Sequence, residues 1–199
     1  MESKFGEIIA RRRTYYSIKN ESPLTDQDLE DLLKHALKYT PTAHNTQLTR
    51  IVLLLRGAHA TFWDLVMDAI REANPGQDME ASEMKISQFR DGYGTALFYN
   101  DTRKTKESIE EMPLYKDEFE SWAHHANAML QFSVWNMLEE AGMGASLQHY
   151  NPIVDERARK QFDIDPEWEL IAQMPFGVVY ADTWEREFDP IDTRFMVKD

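Results

Sequence analysis

The chain has 199 residues, 35 Asp+Glu against 22 Lys+Arg, a formal net charge of −13 at pH 7 and no cysteine. This excludes disulfides, thiolate metal sites and a cysteine nucleophile, and an acidic chain is poorly suited to binding phosphate backbones, so no nucleic-acid partner is expected. With 42% apolar residues, no apolar signal core in the first residues and no run of membrane-spanning length, the expectation is a single domain over residues 1–199, soluble and cytoplasmic, with no membrane partner.

Residues 2–13 read as a helix with Phe5, Ile8 and Ile9 on one face. A turn over 19–23 follows. Thr25 is placed to cap a second helix, with Asp26 and Asp28 at its positive end and Leu29, Leu32, Leu33, Ala36 and Leu37 at helical spacing. Pro41 closes it. TPTAHNTQ at 40–47 is a polar loop, and IVLLL at 51–55 is short enough for a buried strand. Helical spacing returns over 58–73, breaks at 74–76 and resumes over 82–90, before a second buried strand, GTALFY, at 94–99. The charged stretch 100–116 reads as irregular, a mobile loop or lid. Residues 118–141 form the longest helix, apolar on several faces and so central, and Gly142 and Gly144 stop it. SLQHYNP is a turn or short strand, 153–162 a short helix, and 169–180 a strand containing PFGVVY. Residues 183–199 carry too little apolar surface for a core of their own and should pack along another surface. Strands are separated irregularly by helices, so the class is α+β or mixed α/β.

Three clusters carry candidate chemistry. Arg11, Arg12 and Arg13, followed by Thr14, are either a solvated basic helix end or an anion site, since guanidinium groups make bidentate contacts to phosphate. Successive helical residues point about 100° apart, so three helical arginines cannot all serve one anion. The loop 40–47 is either a helix stop or a recognition segment for a planar polar heterocycle, because Asn45 and Gln47 each carry donor and acceptor atoms. GMGASLQHYNP at 142–152 is either a helix cap entering a strand or a close backbone approach to a ligand. It lacks the spacing of a dinucleotide fingerprint, and neither a P-loop, an HExxH nor a GxSxG motif occurs. His124 and His125 are adjacent on a helix and make a poor metal pair.

In this order, RRRTYYSI at 11–18, KYTPTAHNTQLTRIVLL at 38–54, and GMGASLQHYNPIVDE at 142–156 with MPFG at 174–177 resemble the FMN-dependent nitroreductase family. The resemblance covers nearly the whole chain. SLQHYNP points to the branch that includes the fatty-acid-repression-mutant proteins of yeast.

The resemblance implies an α+β nitroreductase fold, with a mostly antiparallel sheet flanked by helices, in an intertwined homodimer with FMN at the interface. Arg12 and Thr14 match phosphate and ribityl contacts, with Arg11 or Arg13 assisting. Pro41, Thr42, Ala43 and Asn45 match a segment supplied by the other subunit, with Gln47 nearby. Leu147, Gln148 and His149 match a segment along one face of the flavin ring, and Arg194 a basic residue at the phosphate. Lys85 or Gln88 would reach the ring's polar edge. The chain departs from the family at Tyr16 and Asp192, where basic residues are common, and at His44, where an apolar residue is common and which would either touch substrate or simply replace an aromatic. The implied activity is ping-pong transfer from NADH or NADPH through flavin N5 to flat acceptors, nitroaromatics or quinones, with no side-chain nucleophile. The alternative is a flavin-binding regulatory protein with little turnover.

Overall fold

The computed structural model describes residues 3–199. Helix α1 (Lys4–Arg11) is capped by the Ser3 hydroxyl, which accepts from the Gly6 N–H, and it buries Ile8. Residue 2 of the expected helix lies outside the described residues. A two-residue strand β1 (Ile18–Lys19) precedes α2 (Asp26–Tyr39). There the expected Thr25 cap is reciprocal: the Asp28 N–H donates to the Thr25 hydroxyl and the Thr25 N–H to the Asp28 carboxylate, both at 3.1 Å. Strand β2 (Thr49–Leu55) runs directly into α3 (Arg56–Ala73), followed by α4 (Glu80–Arg90) and strand β3 (Gly94–Asp101).

The stretch expected to be irregular is helical: α5 (Thr102–Glu111), then a 3-10 turn at Pro113–Tyr115. Only Ser108 of α5 is buried, so no apolar stripe announced it in the sequence. Charge pairs to a distant loop hold it instead. Arg103 pairs with Asp165, Lys106 lies 2.9 Å from Glu167, and the Thr102 hydroxyl donates to the Glu167 carbonyl at 2.9 Å. The long helix α6 (Phe119–Glu140), the short strand β4 (Gly144–Ala145), α7 (Asp155–Gln161) and strand β5 (Trp168–Val179) complete the order.

The sheet runs β1-β5-β3-β2, every pairing antiparallel, with β4 also on β5. Side-chain alternation explains why the strands read as continuous apolar runs: both faces are covered. Leu54, Leu97 and Tyr99 face α3, α4 and α7, packing with Phe62, Trp63, Val66 and Phe89. Ala96, Phe98, Met174 and Phe176 face α2 and α6, packing with Leu29, Leu33, Leu130 and Val134. In β5 the pairing jumps from Phe98↔Ala172 to Tyr99↔Leu170. Ile171 is thus an extra residue, and this bulge places Leu170 and Ala172, two apart in sequence, on opposite faces.

Candidate functional site

Where the arginines point depends on where α1 stops. Its last helical residue is Arg11, and Arg12 already has extended backbone (φ −53°, ψ 128°). The picture of three arginines fanned around one helix is therefore replaced by one helical arginine and two on an extended segment. Arg11 turns onto α6 and pairs with Glu139 at 2.7 Å. Arg12 lays its guanidinium over the Trp135 ring, 4.3 Å from the centroid. Thr14 then pairs in parallel with Ala145, and the Tyr15 N–H donates to the Ala145 carbonyl at 3.0 Å. This ties the first cluster to the third. Gly144 permits it: a Cβ there would sit 2.3 Å from Val179 Cγ2 and 3.0 Å from Tyr15 Cβ.

Arg12, Arg13, Thr14 and Tyr16 form one wall of a cavity of about 370 Å³. The other wall is the C-terminal segment, with Trp184, Glu185 and Arg186. Arg186, which sequence reasoning missed, anchors that segment by donating to the Ala10 carbonyl. Arg194, the tail arginine expected at this site, is exposed and donates to the Asp189 carbonyl within its own turn. Three guanidinium groups thus line one cavity, with Glu185 also in its wall. The Arg12 pKa is held below its ordinary value by burial first, then by the charges of Arg186 and Arg13, with Glu139 opposing. Arg12 Nε is buried and has no hydrogen-bond partner among the described residues. Crowded cations with an unmet donor fit a phosphate dianion.

Next to this cavity, the segment after β4 continues along β5. The Ser146 N–H donates to the Pro175 carbonyl, and Gln148 and Gln173 exchange both backbone bonds, at 2.7 and 2.9 Å. The Gln148 backbone is thus taken up by the sheet. The N–H groups of Leu147 and His149 donate to no backbone carbonyl among the described residues. Alternation turns them away from β5, where a ligand could accept from them. The Ser146 hydroxyl is also buried without a partner among the described residues.

The second cluster lies elsewhere. Residues Ala43–Asn45 form a 3-10 turn in which His44 and Asn45 hold left-handed φ values of 52° and 55°, and Gln47 just beyond it holds 50°. The Gln47 N–H is tied back to the Thr42 hydroxyl at 3.0 Å. Left-handed backbone at His and Gln costs on the order of 1 kcal/mol each, and such strain gathers at ligand sites. His44 sits in an aromatic nest, its ring centroid 5.6 Å from Tyr115 and 5.7 Å from Trp122. Pro41 lines an apolar groove with Phe5, Tyr39 and Met137. The arginine cavity is lined by no residue of this loop.

A sheet with helices on both faces, an arginine cavity and a strained polar loop define an α+β class, and the comparisons name its family. Residues 9–178 match the model of the nitroreductase family, to which the chain belongs. The yeast (Saccharomyces cerevisiae) nitroreductase FRM2 is 32% identical over 90% of this chain and 90% of its own. The structure of nitroreductase CinD from Lactococcus lactis in complex with chloramphenicol superposes with a TM-score of 0.91 at 31% identity, over 98% of this chain and all of that one. A nitroreductase from Desulfovibrio desulfuricans in complex with FMN shares the fold at a TM-score of 0.72 and 14% identity, over 100% of this chain and 99% of that one. The family, the branch and the α+β fold expected from the sequence are met.

Proposed function

We propose that the chain is an FMN-dependent oxidoreductase passing electrons from NADH or NADPH to small flat aromatic acceptors, nitroaromatics or quinones, as a homodimer. The observation that carries this reading is the cavity lined by Arg12, Arg13 and Arg186, with Arg12 Nε buried and unmet among the described residues. Bound FMN would supply the two-electron redox chemistry, and the chain's residues bind and orient it. Arg12, Arg13 and Arg186 would hold the phosphate, with Thr14 contributing its hydroxyl. The Leu147 and His149 N–H groups would donate to the ring. Pro41, Thr42, Ala43, Asn45 and Gln47, which do not line the arginine cavity of their own chain, would complete the site of a second copy. His44, set among Tyr115, Phe119 and Trp122, would line the acceptor's place, where aromatic faces suit a flat ring.

Two features of related proteins support this. One relative is complexed with FMN and another with the nitroaromatic chloramphenicol. The test is steady-state oxidation of NADH and of NADPH by the FMN-loaded protein, with a nitroaromatic and with a quinone. Turnover that requires an acceptor supports the reading. Bound FMN with no turnover on either acceptor overturns the enzyme and leaves a flavin-binding regulatory protein.

A further inference from the structure

Asn100, near the end of β3, is 2% exposed and carries a donor with nothing to give it to. Its orientation is set from the backbone. The side-chain amide of Asn127 on α6 donates to the Tyr99 carbonyl at 3.1 Å and to Asn100 Oδ1 at 2.8 Å, and its own oxygen accepts from Gln131 Nε2 at 2.7 Å. A carbonyl only accepts, so Asn127 must present its nitrogen there, and Asn100 must present its oxygen to Asn127. Asn100 Nδ2 is thereby turned the other way, buried and without a partner among the described residues. A buried donor is rarely left unmet in a folded chain.

Asn100 is also the one buried polar side chain in the wall of a cavity of about 310 Å³ where α5 and α6 meet the sheet. That volume is at the lower end for small-ligand sites. The cavity shares no residue with that of the arginines. Glu120 and His124, one turn apart on α6, line it together with Glu169, which pairs with Asn100 across the sheet. Neither Glu120 nor Glu169 takes part in an ion pair among the described residues, and the lysine of the wall, Lys106, is engaged by Glu167 at 2.9 Å. The wall therefore offers two uncompensated carboxylates and one unmet N–H. No three His, Asp or Glu groups among the described residues are placed to hold a metal ion, and a metal ion would be repelled by an N–H donor. We propose that this cavity binds a small organic cation that carries a carbonyl. The ammonium faces Glu120 and Glu169, the carbonyl oxygen accepts from Asn100 Nδ2, and a short apolar side chain lies against Ile109. An α-amino amide has all three parts. The proposal stands apart from the FMN reading, since no arginine-cavity residue enters it.

The test is titration calorimetry of the full chain with three probes: leucinamide, isoamylamine, which lacks the carbonyl, and N-acetylleucinamide, which lacks the charge. Wild type should bind leucinamide saturably and prefer it to each of the others by about tenfold, the worth of one hydrogen bond or one charge contact. The double variant Glu120→Gln, Glu169→Gln should lose the preference over N-acetylleucinamide. Asn100→Asp keeps an oxygen towards Asn127 and puts an acceptor where the donor was, so it should lose the preference over isoamylamine. These are differences between probes, which a general loss of packing would not produce. If Asn100→Asp fails to fold, the carboxylate variant at the exposed rim decides. No saturable binding of leucinamide to wild type at millimolar concentration, equal binding of the three probes, or preferences unchanged in the variants overturns the proposal.

Discussion

Replacing Arg12 with alanine removes a guanidinium that is half-buried, stacked on Trp135 and surrounded by Arg13 and Arg186. Its Nε has no partner among the described residues, so nothing in the chain satisfies the donor that a phosphate would accept from. A hydrogen bond to a charged group contributes about 1.5–3 kcal/mol, so Arg12→Ala should weaken FMN by roughly 10- to 100-fold. Riboflavin, which lacks the phosphate, should bind wild type and variant alike. Arg11→Ala is the control: its guanidinium is spent on Glu139 at a largely exposed site, so it should leave FMN affinity within about threefold. The assay is quenching of flavin fluorescence, titrated with FMN and with riboflavin. Equal losses for the two flavins would mean that Arg12 supports Trp135 rather than the phosphate. A loss in Arg11→Ala matching that in Arg12→Ala would refute the geometry.

Gly144→Ala should displace Tyr15 and Val179, lowering stability by about 1–3 kcal/mol in urea unfolding and weakening FMN; a variant unchanged in both would contradict the contact described. Burial pushes the His59 pKa down to about 4, its ring bonded to the Thr95 hydroxyl and the Arg90 carbonyl. Its depressed folded pKa lies below the unfolded value near 6.5, so this contribution is present above pH 6.5 and is lost as pH falls towards 4. The loss is about 3 kcal/mol, read by comparing urea midpoints of wild type and His59→Ala across that range. Asp155 runs the other way. Burial first, then Glu169 and Glu156, push its carboxyl up to about 6, so its contribution is present below pH 3.8 and lost as pH rises through 6. Asp155→Asn should therefore raise the urea midpoint at pH 7 and not at pH 4, and a gain of equal size at both would exclude the charge as its cause.

Much of this was legible in the sequence because it depends on local pattern. The Thr25–Asp28 cap, the buried strand at 94–99 and the half-buried edge strand at 51–55 follow from spacing and composition. What escaped depends on partners far away in the chain. Helix α5 has no apolar stripe and stands on pairs to Asp165 and Glu167. Strand β1 is two residues long and exists through Val178 and Val179. Arg186 lies in a tail without periodicity, and only its setting between Trp184 and Phe188, in a segment that must dock elsewhere, could have marked it. In the sequence Arg11 is indistinguishable from its neighbours, because nothing there shows that the helix ends between Arg11 and Arg12.

The most direct test of the central claim is the visible absorption spectrum of the purified protein, mixed with FMN or with riboflavin and then desalted. The phosphate-clamp account predicts a retained yellow flavin spectrum after FMN and little after riboflavin. Equal retention of both would move recognition to the ring, and a colourless protein after both would contradict the account.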